Sequence, residues 1–317
     1  MRIEQLEYLA VVARLGSFRR AAEELHISQP ALSEAVRSLE RELGIDLLER
    51  GRHGATVSDS GRELFPQILT VLDSVDRLRL DAGKQHLSIR VIRVGTVSTA
   101  TVPLLTPAIR QFRETHRATQ VEIIGAQQDE IHRAILAGSF DLGLVNYLEG
   151  DDMPPELGTT TLLRGRPVVC MRPDSTLASL TAVRASDLHT EPLIVMRSGY
   201  LMHRFIHRLM QDQLPEFSYS ADGAEMGKVM VAEGLGITVL PDFSIIGDPM
   251  EKRGIITWRP IADDDTQVEL VIQRVRSLRP TRAVRDLHQI FVERARVYDG
   301  QRKPAAAAAG EPPPPRA

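Results

Sequence analysis

Residues 17–43 read SFRRAAEELHISQPALSEAVRSLEREL, and the chain is organised around this stretch. Two short helical patterns face each other across a tight break. The first opens after Ser17, a good helix N-cap, and places Ala21, Ala22 and Leu25 on one side. The break is His26-Ile27-Ser28. The second pattern starts with Ser28 as cap and Pro30 in its first turn, where a missing N–H is harmless. Leu32, Val36, Leu39 and Leu43 then follow at 4-3-4 spacing, which makes a single inward stripe. The opposite face carries Gln29, Pro30, Ser33, Glu34, Arg37 and Arg41. Small alanines allow close helix approach, and a roughly three-residue turn predicts a helix-turn-helix.

Such a unit presents one polar helix face to the DNA major groove. Gln29 and Ser33 stand near the helix N-terminus, where base edges are met, and Arg37 lies further along the same face. Gln pairs with adenine, Ser bonds donors or acceptors, and Arg reaches phosphate or guanine. Taken alone, the pattern fits two packed helices with a solvated face equally well. The residues that follow decide between the two. Gly44 to Arg50 gives a short apolar strand, 51–54 a turn carrying Arg52 and His53, and Ala55-Thr56-Val57 a returning strand. Together they predict a two-stranded wing.

The whole run, GSFRRAAEELHISQPALSEAVRSLERELGIDLLERGRHGATVSDSGRELF, resembles the winged helix-turn-helix of LysR-type transcriptional regulators. The resemblance rests on Gly16-Ser17-Phe18, Ala21-Ala22, Ser28-Gln29-Pro30-Ala31-Leu32-Ser33, Leu39-Glu40, Leu43-Gly44, Arg50 and Gly61. Leu48 stands where that family usually has Phe, and Glu34 where a basic or amide residue is common. The resemblance implies sequence-specific binding of double-stranded DNA through Gln29, Pro30, Ser33 and Arg37, with Arg50 and Arg52 on the wing.

The charge balance argues against a nonspecific DNA binder and leaves a sequence-specific one open. The 317 residues suffice for two or three domains, and the net charge of -3 announces no nucleic-acid binding by bulk field. Clustered arginines (Arg19, Arg20, Arg37, Arg50 and Arg52) can still serve a small specific domain. Cys170 is the only cysteine, so an intramolecular disulfide, a cysteine metal site and a two-cysteine redox sensor are excluded. It lies in the apolar run 167–171 and reads as a buried strand residue. No leader pattern or run of ~18 apolar residues occurs, and a cytoplasmic protein without a membrane segment is expected.

Downstream, residues 59–86 predict a linker helix. Leu64, Ile68, Val71, Val75, Leu78 and Ala82 step by 4 and 3, a heptad seam suited to pairing with a second copy. From Leu87, strand and helix patterns alternate: Ile89–Val94, a helix from about Thr101, Val121–Ile124, Gln127–Ala137 and Phe140–Val145. This predicts an α/β, parallel, doubly wound sheet. The stretches Ala137 to Val145 and Val231 to Pro241 also resemble the LysR effector domain, which has two α/β lobes like a periplasmic binding protein. That likeness implies an effector domain at 87–298, with lobe I at 87–162 and 266–298 and lobe II at 163–265. It follows a winged domain at 1–58 and precedes a disordered alanine- and proline-rich tail at 299–317.

Ligands of such sheets bind beyond the strand carboxyl ends. Gly95-Thr96-Val97-Ser98 joins a strand to a helix N-terminus, which suits an anionic or carboxylate effector. Gln128 opens the next helix, Asn146 follows the third strand, and Arg197 and Ser198 follow the apolar Leu193-Ile194-Val195. The resemblance implies effector contacts at Thr96, Gln128, Asn146 and Ser198. Arg197 offers a countercharge, and Ser98 belongs to the same loop as Thr96. No GxxxxGK[ST], GxSxG or HExxH motif occurs, and His203 and His207 lack an evident third ligand. The expectation is a regulator acting as a homodimer or homotetramer, with no catalytic residues, metal or cofactor. The alternative is an enzyme or small-molecule-binding protein with an accessory helix-turn-helix.

Overall fold

The computed structural model describes residues 1–51, 54–83, 90–211, 213, 215, 218–262 and 264–308. The chain divides into two units between Ser88 and Ile89. In the first, α1 (Ile3–Leu15), α2 (Phe18–Glu24) and α3 (Gln29–Leu43) form a helical core. The Ser17 and Ser28 hydroxyls each accept a backbone N–H three residues on, from Arg20 and Ala31. Leu6, Leu9, Val12, Ala21, Ala22, Leu32, Val36 and Leu39 are buried together. Each large aliphatic side chain contributes roughly 1.5–3 kcal/mol. Leu43 departs from the expected stripe and is exposed, because α3 ends at Gly44. Glu40 turns inward instead, its Oε1 accepting the N–H groups of Leu47 (2.9 Å) and Leu48 (3.1 Å). That carboxylate anchors β1 (Leu48–Gly51), which pairs antiparallel with β2 (Gly54–Val57) to form the wing.

Next, α4 (Asp59–Gly83) begins on Ser58, whose hydroxyl accepts from Gly61 N at 2.8 Å. The expected seam is split. Of the seam, Leu64 and Ile68 pack into the core of the first unit together with Leu72 beside it, Val75 is half-buried, and Val71 and Leu78 are exposed, as is Leu69 off the seam. Three short helices leave a small core open, and the first turns of α4 close it. The side chain of Ala82 and residues 84–86 lie outside the described residues.

The second unit begins with β3 (Arg90–Thr96). A 3-10 turn at Ser98–Ala100 and a π-helical turn at Thr101–Leu105 lead to α5 (Thr106–Thr115). There follow β4 (Thr119–Gly125), α6 (Gln128–Leu136), β5 (Leu142–Leu148) and β6 (Leu157–Gly165). Then come β7 (Pro167–Met171), β8 (Leu193–Met196), α7 (Leu201–Leu209) and β9 (Ser218–Ala221). The chain continues through α8 (Ala224–Ala232), β10 (Ile237–Pro241), α9 (Pro249–Lys252) and β11 (Thr257–Pro260). It closes with β12 (Val268–Val275) and α10 (Arg282–Ala308). Two five-stranded sheets result, ordered β4-β3-β5-β12-β6 and β11-β7-β10-β8-β9.

The sheets are mixed rather than all parallel. β3 runs parallel to β4 and β5, and β8 parallel to β9 and β10. β12 is antiparallel to β5 and β6, and β7 to β10 and β11. The physical reason is connectivity: β7 and β12 enter their sheets from the other lobe, without the helical crossover that parallel neighbours need. Only Arg166 separates β6 from β7, so the lobes are joined there by nearly continuous strand. Gly165 makes this passage possible, since a Cβ there would stand 2.0 Å from Asp242 Oδ1.

The expected disordered tail is corrected in its first part. α10 continues past Asp299 to Ala308, and Arg302 is buried. Its Nη1 bonds Asp242 Oδ1 at 2.7 Å, and its Nη2 donates to Asp299 Oδ1 at 3.0 Å and to the Arg164 carbonyl. Residues 309–317 lie outside the described residues.

Candidate nucleic-acid interface and ligand cleft

Gln29 occupies the first position of α3, and Gln29, Pro30, Glu34, Arg37 and Arg41 are exposed. Ser33 is half-buried on the same helix. Leu32, Val36 and Leu39 bury the opposite face, so the polar groups are held outward by packing they do not share. Glu34 and Arg41 pair across the exposed surface. Exposed pairs of this kind are worth about 0–1 kcal/mol, so a phosphate can displace Glu34 at little cost. Arg19 pairs with Glu23 at 3.2 Å. Arg50 lies on β1 opposite Ala55; its side chain, and Arg52 altogether, fall outside the described residues.

The second unit carries a cleft between its lobes. Ser98, Thr99, Gln128 and Asn146 line one wall; Met196, Gly199, Tyr200, Leu201 and Ala224 line the other. Direct bonds hold it shut. Ser98 Oγ accepts from Ala224 N at 2.7 Å, Gln127 Nε2 donates to the Ser198 carbonyl at 3.1 Å, and Arg204 pairs with Asp151. The close approach requires glycine at 223, in the left-handed region with φ 89°, where a Cβ would stand 2.6 Å from Ser98 Oγ. The free space left is about 20 Å³, room for about one water.

Asn146 forms the polar floor. It is buried, its Nδ2 donates to Thr99 Oγ1 at 2.9 Å, and its Oδ1 has no partner among the described residues. Leaving such an acceptor unpaired costs about 1–3 kcal/mol, which a donor in the cleft would recover. Behind it, Gln273 Nε2 donates to Tyr147 Oη and to Thr159 Oγ1, each at 3.0 Å. Tyr147 Oη in turn shares a hydrogen bond of 3.0 Å with His132 Nε2. Burial lowers the His132 pKa, which matches a neutral ring.

Of the residues read from sequence, the structure brings Ser98, Gln128 and Asn146 into the cleft lining but not Thr96, Arg197 or Ser198. The Thr96 hydroxyl donates to the Val97 carbonyl at 2.9 Å, and its own carbonyl accepts from Ala126. Thr99 takes the expected place, because the 3-10 turn swings it inward. The hydroxyl-rich run 96–101 carried that possibility without choosing between its members. Arg197 pairs with Asp222 at 3.1 Å and lies 6.0 Å from the Tyr200 ring centroid. Ser198 meets the opposite wall through its carbonyl, which accepts from Gln127 Nε2. Tyr200, missed in the sequence, donates to Asp222, and its hydroxyl is pushed up to about 12 by burial and that carboxylate. The rings of His203 and His207 lie 4.2 Å apart, and no group of three or more potential metal ligands occurs among the described residues.

Residues 3–62 match the family model for the bacterial regulatory helix-turn-helix protein, lysR family, and residues 86–296 match that for the LysR substrate binding domain. The DNA-binding transcriptional dual regulator OxyR of Escherichia coli K12 is 30% identical over 268 residues, covering 82% of this chain and 85% of OxyR. The Hca operon transcriptional activator HcaR of the same strain is 26% identical over 301 residues, covering 93% and 98%. The crystal structure of CbnR, a LysR family transcriptional regulator, superposes with a TM-score of 0.65 at 19% identity over 94% of this chain and 99% of CbnR; it shares the fold. The chain therefore belongs to the LysR family of DNA-binding transcriptional regulators, with an N-terminal helix-turn-helix and a C-terminal effector-binding domain.

Proposed function

We propose that Gln29, Ser33 and Arg37 read the operator, that Pro30 shapes the start of α3, and that Arg50 and Arg52 hold wing-side phosphates. The exposed polar face of α3 above a fully buried stripe supports this most directly. The effector occupies the cleft and needs it to open, since the closed space is too small. Its lining contains no cation, and the expected countercharge of Arg197 is engaged by Asp222. This favours a small polar molecule that donates a hydrogen bond to Asn146 Oδ1 over the anion expected from sequence. Binding then shifts the balance between lobe arrangements, by as much as its affinities for them differ.

One similar protein, from Escherichia coli, is a hydrogen peroxide-inducible genes activator. Peroxide sensing through an intrachain cysteine pair is closed to this protein, whose only cysteine, Cys170, is buried in β7. Exposed Leu69, Val71 and Leu78 on α4 support a homodimer, and exposed Ile123 on β4 and Tyr219 on β9 support further contacts between copies as in a tetramer. No helix among the described residues is long and apolar enough to cross a membrane, and a cytoplasmic, non-catalytic regulator fits these features. The test is a gel shift on DNA fragments selected by the protein from its genome. A shift should appear, and Val71→Asp with Leu78→Asp should reduce the assembly in sedimentation without unfolding it. No selected fragment, or an unchanged assembly, would defeat the respective part.

A further inference from the structure

A groove of about 530 Å³ shares no lining residue with the cleft. Its walls come from the start of α5, from residues 246–252 with α9, and from the end of α10. The first lobe supplies α5, the second α9, and α10 is bonded to both. Arg294 Nε donates to Gln111 Oε1 of α5 at 2.6 Å. Tyr298 Oη lies 2.8 Å from the Phe243 carbonyl and 2.6 Å from that of Ile246, donating to one at a time. This size suits a small organic molecule, and the closed cleft has no comparable room.

The charge around it is uneven. Arg110, Lys252, Arg294 and Arg302 line the groove, with Glu251 as the acidic residue among them. Glu251 is engaged by the Gly247 N–H at 3.1 Å. Arg110 and Lys252 form no ion pair among the described residues. Asp242 and Asp299 are turned to the Arg302 Nη atoms, but Arg302 Nε is buried and has no acceptor among the described residues. A buried, unpaired guanidinium donor on the wall calls for an oxygen acceptor. Pro103, Pro107 and Val297 add an apolar strip.

We propose that this groove is a second ligand site, for a small organic anion whose carboxylate or phosphate is held by Arg110, Lys252 and the Arg302 guanidinium while its apolar body lies on Pro103, Pro107 and Val297. An occupant touches α5 of one lobe and α9 of the other, so it biases the same lobe equilibrium as the cleft from a separate position.

Phenyl phosphate is the probe, titrated calorimetrically into the full-length protein, with benzyl alcohol as the neutral control. Wild type should bind phenyl phosphate with millimolar or tighter affinity and show no comparable heat with the alcohol. Arg110→Gln with Lys252→Gln should weaken binding about 10- to 100-fold, the loss expected when charge-assisted bonds disappear. Arg113→Gln, an exposed cation of α5 outside the groove lining, should bind as wild type does. Both groove side chains are exposed, so the double variant should keep its melting temperature; if it does not, Lys252→Gln alone carries the comparison. Absence of binding up to about 10 mM, unchanged binding in the groove variant, equal loss in Arg113→Gln, or equal binding of the alcohol would each overturn the proposal.

Discussion

The polar face of α3 and the cleft between the lobes place function differently on the scaffold. On α3, one helix carries every proposed reader, and the stripe that holds the helix lies on its other side. In the cleft, residues near positions 98, 128, 146, 200 and 224 meet, and several are part of the packed interior. Where function and packing occupy opposite faces, they can be altered separately. Where they share a residue, any change touches both.

The largest effect should come from confounding the two on α3. Val36→Asp places an unpaired charge at a fully buried site and should cost more than about 4 kcal/mol, enough to unfold a small domain. Operator binding should vanish, while the second unit keeps its own melting transition. Retained operator binding would show that the stripe is less important than its burial suggests. Gln29→Ala should instead lose about 1–3 kcal/mol of specific DNA affinity with an unchanged melting temperature. Equal operator affinity, measured by gel shift, would remove Gln29 from the reading set.

In the cleft the separation should fail. Asn146→Ala removes the bond to Thr99 and the unpaired acceptor together, so both the effector response and about 1 kcal/mol of stability should change. Thr96→Val should leave the response intact, because the hydroxyl is already bonded to Val97. A normal response in Asn146→Ala, with loss in Thr96→Val, would reverse the assignment. The smallest effect concerns pH. Burial keeps the His132 pKa below its ordinary 6.5, so as pH falls past that value the unfolded chain takes up its proton first. Stability should therefore decline as pH falls through 6.5 toward the lower folded value, and His132→Gln should flatten that part of the melting-temperature profile. An identical profile in the variant would assign the dependence to other groups.

The same contrast explains what was legible in the sequence. Ser17, Ser28, Pro30 and the stripe from Leu32 to Leu39 act within a turn or two, and local chemistry determines them. Thr96, Thr99 and Arg197 depend on partners or on a turn type that spacing does not reveal. The partner of Arg197 is Asp222, 25 residues on. The heptad stepping of α4 was real, but periodicity does not distinguish a helix's own domain from a second copy, and Leu64 and Ile68 went to the former. At the C-terminus, the alanine run reads as low complexity, yet alanine is also the best helix former. What holds the helix as far as Arg302 is Asp242, 60 positions earlier.

Cys170 has a further use. The thiol is fully buried in β7, and burial pushes it up to about 12, so the folded protein offers alkylating reagents almost no reactive thiolate. Labelling must wait until the second lobe's sheet opens. The rate at which a reagent reaches this one sulfur is then a clock for that opening, with no competing signal from another cysteine. Read with and without ligand, it reports how firmly each small molecule holds the sheet closed, in a protein that carries its own probe.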